Sequence, residues 1–498
     1  MTPDAGRDLP GWGWRQVCSL AAIVVVLETL ALSYPMMATA SPAIITRFHT
    51  AHGGWLMTSF LLVGATTAPL IGKLADLYGK RRMLLICLAL SSCGALISAI
   101  ASTFVILLAG RCLFGLLVAT VFLSYSLIRD VFPPKTVAVA VSVAAASSAL
   151  IAIPAPFLTE WLLDSYDFRS VFWLLLILLG ISAAAVALTT DESRVRLPLR
   201  VGVVGAVLLG AGLAAALLGV SSGPIWGWAA VSTLSLLVGG VALIAIWVAT
   251  ARATKDALID IEVWRRRSVL LTAIAAGCAY GVSGLYTMLL PMLAMTPTML
   301  GLGYGFGVDA QGFAVFLVPI GVLSEIGGLI VGVLVGHRIA GPRLTSVLGM
   351  IAAGAGSVLT AYSHDDKGMV LIFAGLVGFG LGLAYASTPN LLIEAVSPKL
   401  QASTASLIGV FQTVIPAILP VVVFAVLNNS YTAALPPMIT QMLGGAIIYT
   451  DAGFKAGFLI VAAIALLGFV AALLLPRTIE EITIEAVTSG SIDAETES

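Results

Sequence analysis

Apolar residues run along this chain in long blocks rather than in alternation with polar ones. A helix of about 20 apolar residues crosses about 30 Å of hydrocarbon. Blocks of that length recur at about 15–40, 53–75, 81–101, 104–128, 136–161, 169–189, 200–220, 227–249, 268–294, 311–336, 343–362, 369–393, 402–427 and 454–475. The period-2 pattern of a membrane β-barrel is absent. The pattern predicts an all-α polytopic membrane protein with fourteen transmembrane helices.

Composition agrees. Of 498 residues, 59% are hydrophobic and 10% charged, against about 25% charged in a soluble protein. The formal net charge is zero, so no nucleic-acid partner is expected. Cys18, Cys87, Cys93, Cys112 and Cys278 all fall in apolar blocks and read as small buried residues, not as metal ligands or a disulfide framework. The first block is too long for a cleaved signal and is expected to anchor the chain.

Lys and Arg set the sidedness. Arg111 lies within a block, and Arg47, Arg169, Lys367 and Lys455 fall on one side. The remaining twenty of the 25 fall on the other, together with both termini. Both termini are therefore expected in the cytoplasm. Residues 250–267 read as a basic inner linker. Residues 428–453 read as an outer loop broken by Pro and Gly, with room for a short interfacial helix. The tail 477–498 is acidic, rich in Ser and Thr, and reads as disordered.

Between the second and third blocks stands "GKLADLYGKRR", Gly72 to Arg82. Gly72 permits close helix packing, Gly79 a tight turn, and Asp76 sits among cations. This stretch resembles the loop signature of the major facilitator superfamily, G-x-L-a-D-x-x-G-r-k-r, and occupies the same place after span 2. "RCLFG", Arg111 to Gly115, resembles that family's R-x-x-q-G on span 4. The resemblance implies two pseudo-symmetric six-helix bundles. It also makes the loop a conformational latch of Gly72, Asp76, Gly79, Lys80 and Arg81, with Asp130 as the partner of Lys80 or Arg81.

Fourteen spans resemble the drug:proton antiporter branch, in which two extra peripheral helices separate the bundles. The implied division is 1–190 for the first bundle, 191–266 for the two added helices and linker, 267–476 for the second bundle, and 477–498 for the tail. Three departures stand out. Ser33 occupies the position where the branch carries an Asp on span 1. In the span 5 antiporter motif only Pro156 is retained. In the worn second-half echo "GVLVGHRIAGPR", Gly336 replaces the Asp.

Charges inside apolar blocks are costly and mark function. Glu28, in "IVVVLETLALSYP", lies about 20 Å above the inner face at 1.5 Å per residue. Arg111 lies about 10 Å below the outer face by the same measure, which is the same level of a 30 Å core. The two are expected to be close, paired directly or through water. Glu28, Arg111, Glu325 and Glu160 are the proton-coupling candidates, against static ion pairing or solvation. Tyr34, Met37, Phe60, Tyr125, Tyr280, Tyr286, Tyr385, Asn390 and Gln412 are the candidates for lining a substrate cavity. Aromatic and Met residues with few charges favour a lipophilic or amphipathic substrate.

The reading is a monomeric secondary transporter that exports such a molecule by alternating access. No cofactor is expected, and the proton gradient supplies the drive, since no phosphate-binding loop is visible. The alternatives are a lipid or cell-envelope precursor transporter, or a proton-coupled importer. A membrane-embedded enzyme or sensor is a different class. It finds no support in His49, His52, His337 and His364, which sit at loops or span edges.

Overall fold

The computed structural model describes residues 12–49, 55–147, 154–193, 203–253, 266–308, 310–396, 400–431 and 448–476. Among them the chain is helical, with no sheet. The helices are α1 (Trp14–Phe48), α2 (Trp55–Tyr78), α3 (Lys80–Ala99), α4 (Phe104–Phe114), α5 (Thr120–Val131), α6 (Pro134–Ala146), α7 (Ala155–Ser165) and α8 (Arg169–Thr189). They continue with α9 (Val203–Trp226), α10 (Val231–Ala253), α11 (Arg267–Ala294), α12 (Ala310–Gly336), α13 (Pro342–Tyr362), α14 (Lys367–Ala395), α15 (Gln401–Ser430) and α16 (Asp451–Leu473).

Eleven candidate spans are long and apolar enough to cross a membrane. The fourteen expected are therefore not all met. The block at 136–161 appears as α6 and α7. α9 and α15 are helical over 24 and 30 residues, and α15 contains Pro416 and Pro420. The interior of loop 428–453, the linker residues 254–265, the tail 477–498 and Asp309 lie outside the described residues.

The ends of the helices can be matched to one another by their contacts. Arg15 meets Asp191 at 3.0 Å and Ser19 Oγ donates to Thr190 Oγ1 at 2.9 Å. Arg343 donates to the Leu473 carbonyl at 2.7 Å, and the hydroxyls of Thr345 and Ser387 meet at 2.6 Å. These contacts, with others described below, put both ends of the chain's helical part on one face, called the terminal face here. On the opposite face Tyr304 donates to the Tyr449 carbonyl. Burial, aided by the Asp451 carboxylate, pushes the Tyr304 hydroxyl up to about 12, so it stays a donor.

Two large apolar clusters organise the helices. One draws on α1 to α8 and takes in Val269, Ala273, Ala276, Leu392, Val396, Ala405 and Ile408 from the terminal-face ends of α11, α14 and α15. The other is built from α11 to α16 toward the opposite face. Among the described residues, the helices 14–189 and 267–473 share this apolar cluster near the terminal face. Small residues line the contact between these groups. A Cβ on Gly336 would lie 3.0 Å from Val139, and one on Gly332 would lie 3.1 Å from Ser142. Gly336, at the family's Asp position in the second-half echo, is a packing residue between α12 and α6. The hairpin α9–α10 sits beside α2 and α15, through Leu209, Leu213 and Trp247 against Leu70, Leu407 and Val410.

Backbone approach is closest between α12 and α14. A Cβ on Gly382 would fall 1.9 Å from the Ser324 carbonyl oxygen. Replacing Gly382 by Val is expected to cost about 1–3 kcal/mol through overpacking. Gly180, on exposed α8 with nothing within 4 Å, is the control, and Gly180→Ala should gain about 0.5–1 kcal/mol of helix stability. Thermal unfolding in detergent reads both, and equal midpoints for the two variants would contradict the packing argument.

Candidate functional site

The loop motif becomes a buried charge network. Gly79 has φ +109, a conformation that L side chains rarely adopt, and it ends α2 one residue before α3 begins. That turn sends Lys80 inward. Its Nζ lies 2.6 Å from Asp130 Oδ2 on α5 and 3.9 Å from Asp76 Oδ1, and the side chains of all three residues have no exposed surface. Ser193 Oγ donates to the same Asp130 oxygen. The Lys80–Asp130 pair named from the sequence is thus in contact.

Arg81 takes a different partner. Its guanidinium donates to the Ala187 carbonyl, while its backbone N–H and that of Arg82 each donate to Glu192 at 3.0 Å. A carboxylate at the start of α3 satisfies orphan donors and meets the positive end of the helix dipole. Glu192 escaped the sequence reading. It lies 110 residues from the donors it serves, in a short "DES" after α8 whose only local mark is its charge.

Glu28 and Arg111 make no direct ion pair. Arg111 is 1% exposed and its Nε donates to the Leu56 carbonyl at 3.1 Å. Its guanidinium carbon sits 4.8 Å from the Phe60 ring centroid and 5.2 Å from that of Phe114, within cation–π range. Its two terminal nitrogens are buried without a hydrogen-bond partner. Close approach of α2 to the chain after α4 places it there. A Cβ on Gly115 would come within 2.5 Å of the Phe60 carbonyl oxygen. Residue counting sets depth but not the direction a helix faces. Glu28 follows Ile23 and Leu27, which pack on Ile128, Val137 and Val141 of α5 and α6, whereas Arg111 faces α2.

Glu28 instead has an acid as its electrostatic neighbour. Glu325 on α12 feels its charge, as does Tyr125 on α5. Both oxygens of Glu28 and Oε2 of Glu325 are shielded from solvent and make no hydrogen bond. The Ser147 hydroxyl is close to Glu28. Glu160, on α7, is half-buried and takes no part in the cavity described next.

A small cavity opens between the two helix groups. From α5 come Val121, Phe122 and Tyr125, from α11 Tyr280, from α14 Tyr385, Thr388, Pro389 and Leu392, and from α15 Ala405, Ile408 and Gln412. The Tyr280 and Tyr385 rings are 4.7 Å apart. Tyr125, Tyr280, Tyr385 and Gln412 therefore line the cavity as expected.

Five other candidates do not line it. Tyr34 and Phe60 stack edge to face at 5.3 Å in the first core, and Met37 is buried in that core. Tyr286 bonds Thr360 at 3.0 Å inside the second core. Asn390 donates to Ser142 Oγ at 3.1 Å, spanning the two groups. Apolar periodicity cannot separate a ring packed in a core from one facing a cavity, because both are shielded from lipid. Among the described residues no group of His, Cys, Asp and Glu is placed to hold a metal, and the five cysteines are free thiols.

Residues 21–200 match the family model of the Major Facilitator Superfamily. The solved structure of the human organic anion transporter MFSD10 shares the fold, with a TM-score of 0.64 over 92% of this chain and 99% of that one, at 16% identity. The first part of the sequence and the fold are thus similar to those of the major facilitator superfamily. Among curated relatives, Multidrug resistance protein Stp of Mycobacterium tuberculosis is 28% identical over 87% of this chain and 79% of its own length. The Tetracenomycin C resistance and export protein of Streptomyces glaucescens is 24% identical over 80% of this chain and 72% of its own.

At this site the buried Lys80–Asp130 pair carries the larger energetic weight. Asp130→Ala would take from buried Lys80 its carboxylate partner at 2.6 Å and is expected to destabilise by about 3–5 kcal/mol. Glu192→Ala removes a helix cap and should cost about 0.5–2 kcal/mol. Denaturation midpoints of the two purified variants rank them, and a larger loss for Glu192→Ala would overturn this ordering.

Proposed function

We propose that the chain exports a lipophilic or amphipathic small molecule from the cytoplasm by alternating access, in exchange for protons. The observation that carries this reading is the aromatic cavity lined by both helix groups, which among the described residues share an apolar cluster near the terminal face. That geometry suits a state closed toward one side of the membrane, with a binding site at the level where the two groups meet. Relatives named for multidrug resistance and for antibiotic resistance and export support a drug-like substrate.

The biased distribution of Lys and Arg supports a cytoplasmic terminal face, in the cytoplasmic membrane. On that reading the cytoplasmic side is the closed one. The helix sequence supports fourteen spans of the drug:proton antiporter type, with α6 and α7 forming one span and α4 and α5 another. It also supports bundles at 1–190 and 267–476 flanking the added helices.

Glu28 and Glu325 are the proton sites in this reading. They stand on opposite bundles, at buried oxygens with no hydrogen bond, within reach of each other's charge. Two like charges in such a place disfavour double ionisation, so separating the bundles there changes how readily each binds a proton. Arg111, fixed by Leu56 and two rings, is assigned a static role. No cofactor is needed, because the gradient supplies the energy.

Flux in proteoliposomes with and without an imposed proton gradient tests the reading. An amphipathic aromatic amine should be driven uphill by the gradient in the native protein. Glu325→Gln and Glu28→Gln should each lower that uphill flux at least about tenfold, or about 1.4 kcal/mol, while downhill exchange persists. Full gradient-driven transport by both variants would remove the coupling assignment. Tyr280→Ala should raise the apparent KM about tenfold through loss of aromatic contact, worth about 0.5–1.5 kcal/mol.

A further inference from the structure

Arg129 and Asp130 are neighbours at the terminal-face end of α5, yet they serve different helices. Asp130 holds Lys80 inside its own helix group. Arg129 reaches across to the other. Its Nη1 donates both to the carbonyl of Val396, just after α14, and to Oε1 of Gln401, the first residue of α15. One guanidinium nitrogen thus ties together the two ends of the α14–α15 connection from the opposite bundle. A planar guanidinium on a helix end fixes direction as well as distance, which a lysine ammonium does not.

Gln401 bears the mark of this contact. It is fully buried, and its amide nitrogen makes no hydrogen bond. A buried amide left with its nitrogen unpaired costs free energy. Turning the amide over would set its NH2 group against the guanidinium, donor facing donor. The contact with Arg129 therefore sets the side chain's orientation. The surroundings reinforce the point. Leu392, Val396, Ala405 and Ile408 around this connection belong to the apolar core shared by the two helix groups, and Leu392, Ala405 and Ile408 also form part of the cavity lining. The contact lies at the floor of the cavity, where the bundles must part for the terminal face to open.

We propose that Arg129 is the positioning residue of the terminal-face gate, holding it closed by bridging Val396 and Gln401 of the other bundle. The inference rests on alternating access, and its function is conformational. It touches neither the cavity nor the carboxylates on α1 and α12. Weakening the bridge shifts the population toward the state open at the terminal face. Strengthening it shifts the population the other way. Arg129→Ala and Gln401→Ala weaken it. Gln401→Glu converts a neutral acceptor into a carboxylate and strengthens it.

The experiment places a single cysteine at Ile408 in a chain whose five native cysteines are replaced. The rate of its modification by a membrane-impermeant thiol reagent, applied from the terminal-face side of inside-out vesicles, is then measured. Relative to the Arg129 parent, Arg129→Ala and Gln401→Ala should react about tenfold faster, Arg129→Lys by an intermediate factor, and Gln401→Glu severalfold slower. Gel filtration confirms that each variant is folded. If Arg129→Ala alone fails to fold, the Gln401 pair decides. Opposite changes in Gln401→Ala and Gln401→Glu support the bridge, and equal or like-signed changes overturn it. Labelling reads the gate without requiring transport. Absence of any driven flux in the native protein would therefore sink the export reading, whereas unaltered labelling in folded variants would sink the Arg129 bridge.

Discussion

A lysine and an aspartate with no exposed surface, Lys80 and Asp130, impose the arrangement of the terminal face. Burying either charge alone would be severely unfavourable, so each has to be met within the protein. Meeting them fixes where α2 stops, where α3 starts, how far α5 extends, and where the chain leaves α8, since Asp76, Gly79, Ser193 and Glu192 all converge on the same point. Among the described residues one apolar cluster joins both groups near that end, a second lies within α11 to α16, and the cavity is lined from both groups. The connection at Val396 and Gln401 is held against the same end of α5, so one short stretch of chain orders both the first bundle and its contact with the second.

Much of this was legible in the sequence wherever the signal was local. Apolar blocks gave the helices, and the spacing from Gly72 to Arg82 gave the loop, its turn and its acidic partner on α5. Azimuth was not legible. Arg111 is turned toward Leu56 and Phe60 of α2 and makes no direct pair with Glu28, and the pattern around either residue is almost uniformly apolar. The same limit explains Tyr34 and Tyr286, whose rings pack in cores, beside Tyr280 and Tyr385, whose rings line the cavity. Glu192 was missed for another reason. Its meaning lies in the backbone donors of a helix more than a hundred residues earlier, and no local pattern encodes that.

The division of labour among glycines follows the same logic. At Gly79 the backbone conformation demands the residue. At Gly382 and Gly115 the demand comes from a neighbouring backbone carbonyl in contact. In a bilayer, helices gain little by hiding apolar surface from one another and associate through close packing, so such contacts take over much of what a water-driven core does in a soluble protein.

The α9–α10 hairpin covers the line where α2 meets α15, its leucines seated on residues of both helices. Acyl chains diffusing in the bilayer therefore meet a wall on that flank rather than a slot. A greasy solute cannot slip sideways into the cavity there, and its approach from the membrane is steered to other flanks of the molecule. The hairpin thus makes the protein's surroundings unequal: two sides of one transporter present different doors to the same lipid.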